Sequence, residues 1–361
     1  MCPNTTNAAG YPGGDVARTH EPVSVIVFPG GFNWPIWAAQ ENSYFERNGI
    51  SVTLTPTPNS VFQLSNLIDG KFDIAMTAID NVVAYDEKQG EAPTVAKPEL
   101  IAFMGGDNGF LRLITLPEVK TYADLKGKQL SVDALTTGYA FVLRKLLEEN
   151  GLASTDYELV KAGGVVERFE ALCRKQHAGT LLISPFEVLA EAQGFNRLAN
   201  AVDELGHYQG LIGATRRGWA EQHERELVGY IRGYLSGLDW LFEPANKSEA
   251  ILLLRSKLPA MSDHLASKSY DILLDPQNGF SRKAEVSLEG VRAVLSLRSE
   301  YGNPRKYLND PSKYLDLRFY ELARAPRETI NVGGQRGGLF DSKLSKVYPL
   351  IKHKRCWEVR R

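Results

Sequence analysis

The chain has 361 residues, of which 43% are hydrophobic and 24% charged, a composition typical of globular proteins and a length suited to two hydrophobic cores. Its 42 Lys and Arg residues nearly balance 43 Asp and Glu residues, so no overall basic charge indicates nucleic-acid binding. The three cysteines, Cys2, Cys173 and Cys356, lack metal-type spacing, and we predict no metal site and no cofactor. No segment approaches the ~18 apolar residues of a membrane span.

The N-terminal residues 1–21 are polar and rich in Gly, Asn and Thr. This composition predicts a flexible arm. The arm lacks the apolar run of a signal peptide. We therefore expect a periplasmic location if a signal sequence has been removed, and a cytoplasmic location otherwise.

Short apolar runs and helical patterns alternate through the next part of the chain. The run VSVIVF at residues 23–28 is rich in β-branched residues, as in a strand covered on both faces. Ser60 is the expected N-cap of a helix. The order of strands and helices predicts a parallel sheet with right-handed crossovers. The pattern predicts strands at 23–28, 50–55 and 72–76, and helices at 35–47 and 60–69.

A second α/β unit follows with a core of its own. It begins with a strand and a short helical turn, and then alternates strands with longer helices. The predicted strands are 111–116, 129–132, 157–160 and 180–183. The predicted helical segments are 122–125, 137–150, 165–175 and 186–192.

After about residue 215 the chain becomes mostly helical. The longest amphipathic stretch, residues 219–242, places Leu227, Ile231 and Leu238 at helical spacing. The segment from residue 324 onward loses its periodicity and is expected to be an extended or disordered tail. Further helices are predicted at 247–257, 263–274 and 287–301.

In an open parallel sheet, ligands bind beyond the carboxyl ends of the strands. The first such loop contains Phe32, Asn33 and Trp34 after two glycines. We predict that the two rings stack on a ligand and that the amide hydrogen-bonds to it. The alternative is that both rings pack beneath the loop.

The next two strand ends carry Ser60 and Asp80. Ser60 stands where free helix amides attract anions, and Asp80 is a candidate hydrogen-bond acceptor for a ligand. The alternative for both residues is ordinary helix capping.

A fourth loop contains Thr136, Thr137, Gly138 and Tyr139. Its hydroxyls and open backbone suit a carboxylate, sulfonate or phosphate-like group at the start of a helix. Plain capping is again the alternative. Gly163-Gly164 forms a fifth, weaker candidate loop.

Arg112 lies in an otherwise apolar strand and either pairs with a buried acid or reaches an anionic ligand, with pairing favoured. The motifs GxSxG, HExxH and the Walker loop are missing. We therefore assign no catalytic residue.

Three segments resemble the nitrate/sulfonate/taurine-type substrate-binding proteins of ABC transporters, the group that includes the thiamine-pyrimidine-precursor binders. They are FPGGFNWPIWAAQENSYFERNGI, VTLTPTPNSVFQLSNLIDGKFDIAMTAIDNV and YADLKGK. The resemblance extends over roughly residues 23–320. It does not include a signal peptide or the tail.

The resemblance implies a two-lobed periplasmic-binding-protein-like α/β fold, in which each lobe is a mostly parallel sheet flanked by helices. The ligand would lie between the lobes, with hinge strands near 104–112 and 208–214. The expected domains are an arm at 1–21, a discontinuous first lobe at 22–106 and 212–323, a second lobe at 107–211 and a tail at 324–361.

This family resemblance implies a solute-binding protein that captures a sulfonate, aromatic acid or pyrimidine-like ligand and delivers it to an ABC permease if exported. We expect an anionic or aromatic ligand, and neither a nucleic acid nor a membrane span. The alternative is an enzyme on the same fold, acting as a desulfinase, decarboxylase or pyrimidine synthase. The synthase's Cys-rich motif is absent, and Phe32-Asn33-Trp34 replaces the desulfinase's nucleophilic Cys loop.

Overall fold

The computed structural model describes residues 20–326, except positions 93, 108 and 110. Most of the predicted arm, and all of the predicted tail beyond residue 326, lie outside the described residues. The strands in the described part are β1 (Glu21–Val27), β2 (Ile50–Pro56), β3 (Ile74–Ala78), β4 (Leu100–Gly105), β5 (Arg112–Thr115), β6 (Lys128–Val132), β7 (Tyr157–Lys161), β8 (Gly179–Leu182), β9 (Asn196–Asn200) and β10 (Leu211–Arg216).

Helices surround these strands and form most of the C-terminal part. The helices are α1 (Trp34–Glu41), α2 (Ser60–Ile68), α3 (Ile79–Asp86), α4 (Gly138–Glu149), α5 (Val165–Cys173), α6 (Phe186–Ala192), α7 (Ala201–Leu205), α8 (Arg217–Gln222), α9 (Glu224–Phe242), α10 (Lys247–Lys257), α11 (Asp263–Leu273), α12 (Leu288–Tyr301) and α13 (Arg318–Arg324). No described helix is both long and apolar enough to cross a membrane.

The strands form two five-stranded sheets with the same internal pattern. The first has the order β2-β1-β3-β10-β4, and the second has the order β7-β6-β8-β5-β9. In each sheet four strands point the same way, whereas β10 or β5 runs antiparallel to both of its neighbours. This architecture confirms the predicted fold class of two lobes with mostly parallel sheets.

The chain crosses between the sheets twice. It leaves the first sheet after Gly105 and rejoins it at Leu211. The first sheet is therefore built from two separate parts of the chain, whereas the second sheet comes from a single stretch. The precise limits at 106/107 and 211/212 stay a prediction.

Close packing of α1 against α9 forms much of the first lobe's core. Glycines at every fourth position of α9 allow this approach: a Cβ atom at Gly237 would overlap the Pro35 carbonyl oxygen, and one at Gly233 would overlap the Phe45 ring. Trp34 is fully buried nearby and meets the Tyr270 ring edge-on, with 5.8 Å between the centroids. Small residues at this contact are therefore required by backbone proximity.

Two predicted helices have different limits in the structure. The helix predicted at 35–47 ends at Glu41. The Asn42 side chain donates from Nδ2 to the Ala38 carbonyl, and Ser43 adopts a left-handed φ of 53°, which ends the helix. The helix predicted at 219–242 is interrupted at His223, whose ring stacks on Trp219 at 4.9 Å.

The N-cap predicted for α2 is also wrong by one residue. Asn59, rather than Ser60, is the N-cap, and its side chain accepts a hydrogen bond from the Phe62 amide. Ser60 is the first residue of the helix. Its backbone amide is thus one of the donors at the helix start that have no partner within the helix.

Glu87 connects the end of α3 to the C-terminal segment. Its buried carboxylate accepts hydrogen bonds from Lys306 and the Tyr314 hydroxyl, each at 2.8 Å, and from Lys313. Burial opposes ionisation, but these hydrogen bonds outweigh it and lower the pKa of Glu87 from 4.5 to about 2. The carboxylate is therefore more stable in the folded protein than in the unfolded chain.

We expect Glu87→Gln to lower the free energy of unfolding at pH 7 by roughly 2 kcal/mol, since charged hydrogen bonds are lost. The difference should shrink as the pH falls from 4.5 to about 2, because the wild-type carboxylate then becomes protonated. Urea unfolding across this pH range measures it. Glu99→Gln, at an exposed ion pair with Lys97, is the control and should change stability little. A difference for Glu87→Gln that does not vary with pH would contradict the assignment.

Candidate functional site

A cleft lies between the two sheets and contains about 610 Å³ of space free of atoms, part of it open to solvent. Its apolar lining comes from both lobes and from the start of β10. Its charged lining consists of three aspartates and one arginine. The apolar side chains include Phe28, Phe32, Met76, Val165, Ile183 and Leu211, and the charged ones are Asp80, Asp107, Asp133 and Arg168.

The first predicted loop contributes one of its three candidates to the cleft. Phe32 lines it, and its stacking on a ligand stays a prediction. Asn33 is 2% exposed and donates from Nδ2 to the Phe28 carbonyl at 2.6 Å, so it fixes the loop. Trp34 lies in the core against Tyr270 and does not line the cleft. For Trp34 the alternative of packing beneath the loop therefore describes the structure.

Ser60 and Asp80 both contact the opposite lobe. The Ser60 amide donates to Asp133 Oδ2 at 3.0 Å. Asp80 lies in the first turn of α3 and accepts at Oδ2 from the Gly138 amide at 2.5 Å and from Arg298 at 3.3 Å. The helix-start amide predicted to attract an anion, at Ser60, and the predicted ligand acceptor, Asp80, thus both have protein partners.

The fourth predicted loop is at the N-terminus of α4. Thr137 and Tyr139 line the cleft, and the Thr137 hydroxyl donates to the Ala134 carbonyl at 2.9 Å. Thr136 lies outside the main cleft and accepts at its carbonyl from Arg298 at 2.9 Å. The Gly138 amide, predicted to bind a ligand anion, is occupied by Asp80.

Two polar groups of the cleft with unused hydrogen-bonding capacity, on Arg168 and Asp133, were not among the residues predicted to bind a ligand. Arg168 on α5 is 5% exposed and donates only to the carbonyls of Gly163 and Leu181, at 3.2 and 3.3 Å. Its Nε has no partner among the described residues, and neither has Asp133 Oδ1. The weak signal for this site was the glycine pair at 163–164, which precedes α5.

Arg112 is a structural residue, in line with the favoured interpretation. Its guanidinium lies 3.9 Å from the Glu187 carboxylate, and both side chains are buried. Glu187 is further bound by the Ser184 hydroxyl. This buried pair lies between β5 and α6 and supports the second lobe.

Asp107 lies where the chain first crosses between the lobes, and its side chain contacts Leu211, where the chain crosses back. Its carboxylate accepts from the Gly109 amide at 3.2 Å and from the Leu211 amide at 3.1 Å. Burial raises the pKa of Asp107 to about 7, although these amides favour the charged form. The group therefore titrates near neutral pH beside the cleft.

Sequence comparison establishes the family. A model described as NMT1/THI5 like matches residues 33–247, more than half of the chain. The protein belongs to the NMT1/THI5-like family. This match begins within the first cleft loop, extends through the second lobe and confirms the suspected family. No curated protein matches the sequence.

Solved structures share the fold of this NMT1/THI5-like protein. A protein from Bordetella bronchiseptica RB50 superposes with a TM-score of 0.71 at 16% identity, covering 84% of this chain and 97% of that one. The ligand-binding component of an ABC-type import system from Staphylococcus aureus, with zinc bound, gives 0.67 at 12% identity, covering 84% and 99%. The periplasmic aliphatic sulphonate binding protein SsuA from Escherichia coli gives 0.62 at 16%, covering 92% and 98%. At these identities the likeness shows the fold.

We expect Asp107→Asn to change the pH dependence of stability. Between pH 3.8 and about 7 the unfolded wild-type chain ionises at this residue whereas the folded protein does not, so wild-type stability falls as the pH rises. Over this interval the free energy of unfolding of the variant should fall by at least about 1 kcal/mol less than that of the wild type. Urea unfolding at both ends of the interval measures the effect.

Asp263→Asn, at a side chain that is 82% exposed, is the matched control and should follow the wild type. If Asp107→Asn also follows the wild type, Asp107 ionises as readily in the folded protein as in the unfolded chain.

Proposed function

We propose that this protein is a solute-binding protein that closes its two lobes around a small organic ligand. The observation that carries the proposal is Arg168, a buried guanidinium that lines the cleft and forms no ion pair with the described residues. The Asp133 carboxylate favours its charged form only from a distance. A buried charge without a counter-ion is costly. A ligand with an anionic or strongly accepting group would supply the missing partner.

The rest of the cleft indicates the shape of such a ligand. Phe28 and Phe32 from the first lobe and Val165 and Ile183 from the second provide apolar surfaces, which suit a flat or short aliphatic body. The unpartnered Asp133 Oδ1 adds an acceptor. Sulfonates, aromatic acids and pyrimidine-like compounds remain the proposed ligand classes.

Delivery to an ABC permease is part of the same proposal. The Staphylococcus aureus neighbour is a component of an ABC-type import system, and the Escherichia coli neighbour is periplasmic. By analogy with them, we propose that this protein works outside the cytoplasmic membrane if it is exported. Its closed form would then present the ligand to the permease.

An enzymatic function is the second candidate, and Asp107 favours it. A cleft carboxyl with a pKa of about 7 matches the requirement for a general base near neutral pH. Such an enzyme would be a desulfinase, decarboxylase or pyrimidine synthase. Against it, neither Cys nor His is found among the described residues that line the cleft.

Ligand screening distinguishes the two functions. Thermal shift with a panel of sulfonates, aromatic acids and pyrimidines should identify a ligand that raises Tm. Mass spectrometry of that ligand after incubation should recover it unchanged if the protein is a binder. A modified compound would favour the enzyme, and the absence of any stabilising ligand would contradict both.

We expect Arg168→Gln to weaken binding of the identified ligand at least about tenfold, because a charged hydrogen bond is lost. Stability without ligand should stay within about 1 kcal/mol of wild type, since the variant loses two hydrogen bonds to carbonyls but also removes a buried charge that forms no ion pair. Calorimetry and urea unfolding measure the two quantities. Arg174→Gln changes an exposed arginine that pairs with Glu170 just after α5 and should preserve affinity. Equal affinity of both variants would place the ligand elsewhere.

A further inference from the structure

Asp80 lies between two groups that favour its carboxylate form, the Gly138 amide and Arg298, although burial raises the pKa of Asp80 above its ordinary value. It comes from the first lobe and contacts the N-terminus of α4 in the second lobe through the Gly138 amide, at 2.5 Å. α4 has 12 residues, long enough for its free amides and dipole to attract negative charge.

A cation, Arg298, also contacts the Asp80 carboxylate. Arg298 on α12 is fully buried and donates to Asp80 Oδ2 at 3.3 Å and to the Asp80 carbonyl at 2.9 Å. It also binds Gln89 Oε1 at 3.0 Å and the Thr136 carbonyl at 2.9 Å. Arg298 therefore joins both lobes at the point where Asp80 meets α4.

Tyr208 directs a third polar group to this position. The residue is 8% exposed, and its hydroxyl has no hydrogen-bond partner among the described residues. A Cβ atom at Gly138 would overlap both this hydroxyl and the Asp80 carboxyl. A backbone amide and a guanidinium thus bind one carboxylate, and the Tyr208 hydroxyl lies beside them without a hydrogen bond, in a space where a Cβ atom does not fit.

We propose that Asp80 determines specificity by acting as a built-in anion: it excludes the anionic group of a ligand from the N-terminus of α4 and directs that group to Arg168. The proposal rests on the cleft being the ligand site. Two anions in contact inside a buried site would repel each other strongly. Because Asp80 belongs to the other lobe, it also supplies the charge that completes the closed interface without a ligand.

Removal of the Asp80 side chain should leave an anion site that a small carboxylate can refill. The test compares Asp80→Ala with Asp80 intact, both in an Arg168→Gln background so that the second guanidinium cannot respond. The probe is sodium acetate against sodium chloride at equal ionic strength. Acetate should raise the Tm of Asp80→Ala/Arg168→Gln by at least about 2 °C relative to chloride. Acetate should not change the Tm of the single variant Arg168→Gln relative to chloride.

Asp73→Ala in the same background is the matched control. Its carboxylate binds the amide and hydroxyl of Ser24, at 2.8 and 2.7 Å, on the first lobe alone, and acetate should not restore its stability. Equal responses of the Asp80 and Asp73 variants, or no response of a folded Asp80 variant, would overturn the proposal.

Asp80→Ser keeps the test decisive if Asp80→Ala fails to fold in chloride. Folding of either variant in acetate but not in chloride supports the proposal. Failure of both variants in both salts overturns it, because Asp80 would then be needed for folding in a way that no added anion replaces.

The acetate experiment is independent of the ligand screen. Rescue by acetate with no ligand found would leave the Asp80 site standing and refute the proposed solute-binding function. A ligand found without acetate rescue would support the solute-binding function and refute the role proposed for Asp80.

Discussion

A buried guanidinium must find acceptors for its donors, and Arg298 finds them on both lobes. Its partners are Asp80 and Gln89 from the first lobe and Thr136 from the second. One side chain of a C-terminal helix therefore ties the two lobes together where Asp80 meets α4, beside the direct contact between Asp80 and Gly138. Removing one partner from such a group leaves an uncompensated buried charge, which is far more costly than losing an exposed ion pair.

The two buried arginines at the lobe interface differ in how completely they are satisfied. Arg298 has a carboxylate, an amide oxygen and two carbonyls, whereas Arg168 has two carbonyls and no counter-ion among the described residues. The first arrangement is that of a structural residue. The second is that of a site which sacrifices stability for binding. Similar burial thus accompanies different roles, and the partners rather than the exposure distinguish them.

Local sequence patterns predicted most strands and helices, because their apolar periodicity does not depend on distant contacts. α3 escaped because it follows β3 directly, with Ala78 providing no side-chain cap, and β9 escaped because its sequence NRLAN is polar. Among the site candidates, Phe32 lines the cleft and Trp34, two residues later, lies in the core. Arg168 lies on an amphipathic helix, where a charged residue is normally exposed, but its guanidinium binds the carbonyl of Leu181 in β8, a contact that local sequence does not reveal.

The position of β10 has a consequence for the order of folding. β10 lies between β3 and β4 in the first sheet, although it follows all five strands of the second sheet in the chain. During synthesis the second sheet is thus available as one contiguous segment, while the first must wait for β10, the strand next to its edge strand β4. We infer that β1 to β4 spend this interval with an unfilled gap between β3 and β4, where pairing with a foreign strand is the main hazard.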